Sequence, residues 1–397
     1  MTIYLDNNAT TEPPEEVRRA IAEMYEVHWH NPSSVHRPGQ AARHALELAR
    51  KKLAELIGAR ARQMTLCGSG TEAIDLAIRG ALLAQGRLGG ARKATPGPGA
   101  IITTRVEHVA IRELAKALER EEGVRTIWAE LDSDGRVNTG KFRDLLEANP
   151  DVALASVQWA NNETGIVQPV REIAAMCRER GVLFHTDATQ YVGKMPVSVD
   201  VASPDLLTYS PHKFHGPKGV GVLYARPGVR IAPLIHGEQE QGRRGGTENV
   251  AGIVGAGVAA ELAMRWLGDP QNIARGEGLR NSFEAELRRV VPDAHVNGEG
   301  SPRLWNTSSV GFPRLEAEAL LLLLSERGVC ASAGAACASG SLEPSPVLRA
   351  LNIPPEIAHG TLRFSLARTT TREELDAAIP IIAGAVARLR ESMSGVR

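Results

Sequence analysis

Apolar runs of strand length keep ending in small polar clusters, and this feature narrows the fold more than any other. Met64-Thr65-Leu66 leads into Cys67-Gly68-Ser69-Gly70-Thr71-Glu72, Ala100–Thr103 into Glu107-His108, and Val152–Trp159 into Asn161-Asn162-Glu163-Thr164-Gly165. Val182-Leu183-Phe184 ends in His185-Thr186-Asp187-Ala188-Thr189-Gln190, and Leu206–Tyr209 in Ser210-Pro211-His212-Lys213. Intervening segments carry apolar residues at helical spacing, as at Ile111, Leu114, Ala115 and Leu118. Strands alternating with helices predict an α/β fold around a mainly parallel sheet. In such sheets ligands sit at the carboxyl ends of the strands, where these clusters fall. A carboxylate, amides, a histidine and a lysine are thereby expected to share one site.

The 397 residues include 46 basic and 46 acidic side chains, so no net charge draws the chain to nucleic acid or an anionic membrane. Val250–Ala260 and Ala319–Leu324, the longest apolar runs, are too short to span a bilayer. The first ten residues have no basic region followed by an apolar core. The expectation is a cytoplasmic enzyme with neither nucleic-acid nor membrane partners. Its length predicts two domains; the division expected is a large one over 16–255 and a smaller α+β one made of 1–15 with 256–397.

Lys213 shares its turn with Ser210 and His212, a setting suited to a Schiff base with a phosphorylated aldehyde cofactor. The Gly68–Thr71 turn, between a strand and a helix, offers backbone N–H groups to an anion, although a tight turn without a ligand reads equally well. His108 can cap its helix or stack on a planar ring. Arg243 and Arg244 beside Thr247 form a solvated turn or receive a phosphate. Cys67, Cys177, Cys330 and Cys337 show no zinc spacing. Cys177 and Cys330 are expected to be buried filler. Cys337 lies in a bare run of alanine, glycine and serine and is expected to be a reactive thiol. Arg363, on a strand with apolar neighbours, points inward and needs a carboxylate from the protein or a substrate.

Taken in order, these motifs resemble the cysteine desulfurases, the NifS type most closely. The resemblance runs through Leu5-Asp6-Asn7-Asn8-Ala9-Thr10-Thr11, Glu107-His108, Asn161–Gly165, Asp187–Gln190, His212–Gly219, Gly246-Thr247-Glu248-Asn249, Ser341–Ser345 and Arg363-Phe364-Ser365-Leu366. It implies the aspartate-aminotransferase-like fold (type I) of pyridoxal 5'-phosphate enzymes, with a seven-stranded sheet, as a homodimer. By similarity Lys213 carries the cofactor, Asp187 pairs with its ring nitrogen and His108 stacks on the ring. Asn162 and Gln190 hold its phenolic oxygen. Gly70, Thr71, Ser210 and His212 bind the phosphate, with Thr247 reaching it from the other subunit. Arg363, and more weakly Asn31, clamps the carboxylate of L-cysteine. Cys337 takes the sulfur as a persulfide and passes it to an iron–sulfur scaffold or other acceptor protein, where it can serve as a transient iron–sulfur ligand.

The sequence departs from the family pattern in places. Gly70 stands where alanine is usual, Ala338 follows the cysteine where a hydroxyl residue is common, and His236–Glu240 looks one residue short. Two other readings use the same residues: a selenocysteine lyase, and a non-catalytic sulfur-carrier subunit.

Overall fold

The computed structural model describes residues 2–88, 97–334 and 344–394. Its largest sheet has seven strands, in the order Met64–Cys67, Gly221–Ala225, Leu206–Tyr209, Leu183–Asp187, Val152–Ser156, Ala100–Thr104 and Arg125–Ala129. Gly221–Ala225 runs against both neighbours and all other pairings between adjacent strands are parallel, as the alternation of strands and helices predicts.

Both faces of this sheet are covered, which is why its inner strands read as continuous apolar runs rather than alternating ones. Successive residues enter opposite cores. Ile101, Leu154, Leu206 and Leu223 pack with Ile74, Ala77 and Ala81 of helix Gly70–Ala84 and Ile111, Leu114 and Leu118 of Val109–Glu122. Their neighbours Ile102, Ala155, Leu207 and Val222 pack on the other side with Leu46, Ala49 and Leu53 of Arg37–Glu55 and Ile173 and Cys177 of Val170–Glu179. Helix Val250–Leu267 joins that second core through Ala256, Ala259, Ala260 and Ala263. It is long and apolar enough to cross a membrane, yet it lies here as a core helix. A Cβ on Gly257 would stand 2.8 Å from Ala49, so the small residue lets the two helices close up.

A third core gathers Ile3 and Leu5 with Phe283, Leu287, Phe312, Leu320, Phe364 and Ile382. It packs on a four-stranded antiparallel sheet ordered Ser332–Ala333, Thr361–Ser365, Thr307–Gly311 and His295–Val296. The N-terminal strand Ile3–Tyr4 pairs in parallel with Val329–Cys330. Cys330, expected to be buried, is half-buried at the end of that short pair, whereas Cys67 and Cys177 are buried.

One connection positions the site. The Ser365 N–H donates to Leu5 O at 2.7 Å and the Asn7 N–H to Ser365 O at 3.2 Å. Four residues after Asn7 the Thr11 N–H donates to His212 O at 3.0 Å. Residues 6–11 therefore bridge from the smaller sheet to the turn that carries Lys213.

Candidate active site

A cavity of about 420 Å³ opens at the carboxyl ends of the parallel strands. Ser69, Gly70 and Thr71 line it where helix Gly70–Ala84 begins. Ser69 caps that helix, its Oγ accepting the Glu72 N–H at 3.1 Å. A Cβ on Gly70 would collide with Ser210 Oγ, and one on Gly221 would run into the Ser69 carbonyl. The two glycines let the helix start, Ser210 and the reversed strand come together.

Lys213 follows Ser210 in a short 3-10 turn, Pro211–Lys213. Its Nζ donates to the main-chain oxygens of Asn8 at 2.9 Å and Ala9 at 2.8 Å. His212 Nδ1 lies 3.2 Å from Thr10 Oγ1. Burial first, then Lys213 and Lys218, push the His212 pKa down to about 4, so this imidazole is neutral near pH 7.

Asp187 closes strand Leu183–Asp187 with Oδ1 accepting the Thr189 N–H at 2.9 Å. Gln190, one turn on, donates from Nε2 to Asn8 O at 3.0 Å. His108 caps helix Val109–Glu122, its Nδ1 accepting the Ala110 N–H at 3.2 Å. Burial, only partly offset by Asp187, lowers its pKa. With Nδ1 accepting, the neutral ring carries its proton on Nε2. Beneath it Glu107 accepts from Thr104 Oγ1 at 2.8 Å and from the Gln158 N–H at 3.0 Å, and burial pushes its pKa up to about 8.

Of the asparagine pair, Asn161 turns inward and Asn162 faces the cavity. Asn161 Oδ1 accepts the Glu163 and Thr164 N–H groups, whereas Asn162 offers its main-chain oxygen to Asn8 Nδ2 and Arg363 Nη1, each at 3.1 Å. Arg363 is 4% exposed and finds its carboxylate in Asp6, Nη2 to Oδ1 at 2.7 Å. Its Nε is buried with no hydrogen-bond partner among the described residues.

The structure thus brings Gly70, Thr71, His108, Asn162, Asp187, Gln190, Ser210, His212, Lys213 and Arg363 to one cavity. Asn31 and Thr247 lie elsewhere in the single chain. Asn31 is exposed, its Oδ1 accepting the Ser33 N–H at 2.8 Å, and Thr247 is exposed as well. Cys337 and Ala338 lie outside the described residues. Gly334 and Pro346, near the two ends of that stretch, both line the cavity.

Four residues of the site carried no role in the sequence reading. Asn8 sits inside the Leu5–Thr11 motif, and its contacts lie too far along the chain to be read there. Lys194 announces itself only as a charge among Tyr191, Val192 and Met195. Glu163 is buried, with Oε2 accepting from Ser345 Oγ at 2.6 Å. Arg112 follows His108 by one helical turn, and that spacing could have flagged it. Among the described residues no group of His, Cys, Asp or Glu could hold a metal ion.

Residues 3–378 match the class-V aminotransferase family. The chain belongs to that family. Cysteine desulfurase NifS of Azotobacter vinelandii is 45% identical over 390 residues, covering 98% of this chain and 93% of the relative. Among solved structures, a NifS-like protein superposes with a TM-score of 0.87 at 34% identity, over 98% of this chain and all of the other. SspA, solved in complex with cysteine, superposes with a TM-score of 0.78 at 30% identity, over 93% of this chain and all of SspA. Class-V membership agrees with the mostly parallel seven-stranded sheet.

Proposed function

We propose that this chain is a pyridoxal 5'-phosphate-dependent cysteine desulfurase that converts L-cysteine to L-alanine and carries the sulfur away on Cys337. The observation that supports it most is the convergence of Lys213, Asp187 and His108 on one cavity with a helix start at its edge. Relatives named cysteine desulfurase at 45% identity point the same way.

The residues present fit the cofactor. The gap between Gly70 and Ser210 is one that a Cβ would fill, and it is bordered by Ser69, Thr71 and a helix N-terminus, which together suit a phosphate. Lys213 would hold the cofactor covalently, Asp187 would pair with its ring nitrogen, and His108 would lie against the ring. Asn162 and Gln190 would flank its phenolic oxygen, and His212 would stand by the phosphate. Bound there, the cofactor supplies an electron sink for bonds broken at the substrate's carbons.

The chain's own groups do the rest. Arg363 binds the substrate carboxylate through its guanidinium, and Lys213 moves the proton at the α-carbon. Neutral His108, with its proton on Nε2, can pass that proton on or take one back. Cys337 as thiolate attacks the substrate sulfur. The S–S bond forms as the C–S bond breaks, and the carbon keeps the electron pair and takes a proton to become the methyl of alanine.

The protein would act as a cytoplasmic homodimer, with Thr247 and Asn31 serving the site of the partner subunit. Their exposure away from the cavity supports this, as do the exposed Tyr25, Trp29 and Val35 near Asn31 in the chain. Within each chain we propose residues 16–255 as the cofactor domain and 1–15 with 256–397 as the domain carrying Cys337, joined by helix Val250–Leu267 across the boundary. The persulfide would pass to an iron–sulfur scaffold or another acceptor protein.

Incubation with L-cysteine and a reductant tests the activity. Alanine and sulfide should appear in equal amounts with the wild type. Neither should appear with Cys337→Ala, which should keep the visible absorption of the bound cofactor. Desulfuration by Cys337→Ala at the wild-type rate would overturn the assignment.

A further inference from the structure

Lys194 is 4% exposed, and its amine donates to Asn8 Oδ1 at 2.8 Å and to Gln190 Oε1 at 2.6 Å. Both acceptors are neutral amides. Among the described residues no carboxylate is in hydrogen-bond contact with this amine, and burying it so is costly, so this lysine needs a reason to be there. Burial, then Lys213 and Arg363, hold it well below the usual lysine range.

The geometry supplies the reason. An amide whose oxygen accepts must turn its nitrogen the other way. With Oε1 facing Lys194, Gln190 directs Nε2 to the Asn8 main-chain oxygen at 3.0 Å. That same oxygen accepts from Lys213 Nζ at 2.9 Å. Asn8 Oδ1 accepts a second donor, Asn306 Nδ2 at 3.0 Å, which leaves Asn8 Nδ2 for Asn162 O and Thr307 Oγ1. Two amides of undefined direction thereby become a fixed frame around Lys213.

We infer that Lys194 is a positioning residue for Lys213: by donating to Gln190 and Asn8 together it sets which way both amides point, and so holds the carbonyl and the N–H groups beside the reactive amine. This rests on the reading of Lys213 as the cofactor-bearing lysine. Lys194 itself touches neither cofactor nor substrate in this account.

The test follows the chemistry of Lys213 rather than turnover. The full chain, freed of bound aldehyde with a competing amine, is mixed with pyridoxal 5'-phosphate and quenched with borohydride at intervals. The amine condenses with the aldehyde and loses water, hydride reduces the new C=N bond, and the adduct is mapped by mass. Lys194→Met should slow labelling of Lys213 about tenfold, the loss of one buried hydrogen-bond anchor. Gln190→Leu should slow it as well, and the double variant should be slower than wild type by less than the product of the two factors, because the Lys194–Gln190 contact is lost in each. Melting temperatures show that each variant is folded. If Lys194→Met does not fold, Lys194→Gln takes its place, since its shorter side chain cannot hold both amides. Labelling of a folded Lys194→Met, or failing that of Lys194→Gln, at the wild-type rate overturns the inference. A wild type unlabelled at Lys213 overturns the cofactor reading beneath it.

Discussion

Asp6 and Arg363 are 357 residues apart in sequence, and Nη2 of the arginine meets Oδ1 of the aspartate at 2.7 Å. The pair ties the N-terminal segment to the strand Thr361–Ser365 and sets the guanidinium at the cavity. A buried arginine held this way keeps its fork in one plane, and its Nε, without a partner among the described residues, remains as a further donor. Arg363→Lys should raise KM for L-cysteine at least tenfold while leaving the cofactor spectrum unchanged, because a lysine cannot reproduce the planar fork. Steady-state kinetics with L-cysteine would show it, and an unchanged KM would remove Arg363 from the substrate's path.

Gly70 and Gly221 make a contrasting pair. The Cβ of Gly70→Ala meets only the hydroxyl of Ser210, which can rotate away, so the fold should survive with weakened cofactor retention. Adding Ser210→Ala should restore part of that retention. The Cβ of Gly221→Ala meets main-chain atoms of Ser69 and Gly70, which cannot give way cheaply, and should cost about 1–3 kcal/mol of stability. Chemical unfolding of the two variants would separate them.

Much of this arrangement could be read from chain order. In a parallel sheet each strand end falls at the same edge, so Asp187, His108 and Lys213 had to be neighbours once their strands were assigned. The inward turn of Arg363 and its need for a carboxylate were also legible. Its partner was not, since Asp6 reaches it only after Ile3–Tyr4 has paired with Val329–Cys330. Asn8 and Lys194 were hidden for the same reason, their contact spanning 186 residues. Arg125–Ala129 escaped notice because it is an edge strand whose residues are only partly buried, which blurs its apolar pattern.

Ser345 joins two features near the stretch that holds Cys337. Its hydroxyl donates to Glu163 Oε2 and accepts the Val347 N–H at 3.1 Å, capping a short helix. Burial already raises the Glu163 pKa, and the Ser345 hydrogen bond is the largest opposing influence. Ser345→Ala should therefore raise it further and cost about 1–3 kcal/mol, the penalty for leaving a buried acceptor without its donor. Ser345→Thr, which keeps the hydroxyl, should recover most of that in a denaturant titration.

His185 offers a test by pH. Its Nδ1 lies 2.8 Å from Ser156 Oγ and its Nε2 3.0 Å from Thr208 Oγ1, linking three neighbouring strands. Burial pushes its pKa down to about 3 from the usual 6.5. The folded chain thus favours the neutral ring. Its contribution is complete above about pH 6.5 and is lost as pH falls towards 3, because the unfolded chain takes up the proton first. His185→Gln should lose less stability than the wild type between about pH 7.5 and pH 5. Equal losses in the two proteins would contradict the burial of a neutral ring at this position.

The mass of the peptide containing Cys337, taken after L-cysteine is added without reductant, bears most directly on the account as a whole. Wild-type protein should gain one sulfur atom on that cysteine, and Lys213→Ala should gain none. Sulfur found on Cys67, Cys177 or Cys330 instead, or on no cysteine while alanine accumulates, would contradict the transfer of sulfur to Cys337.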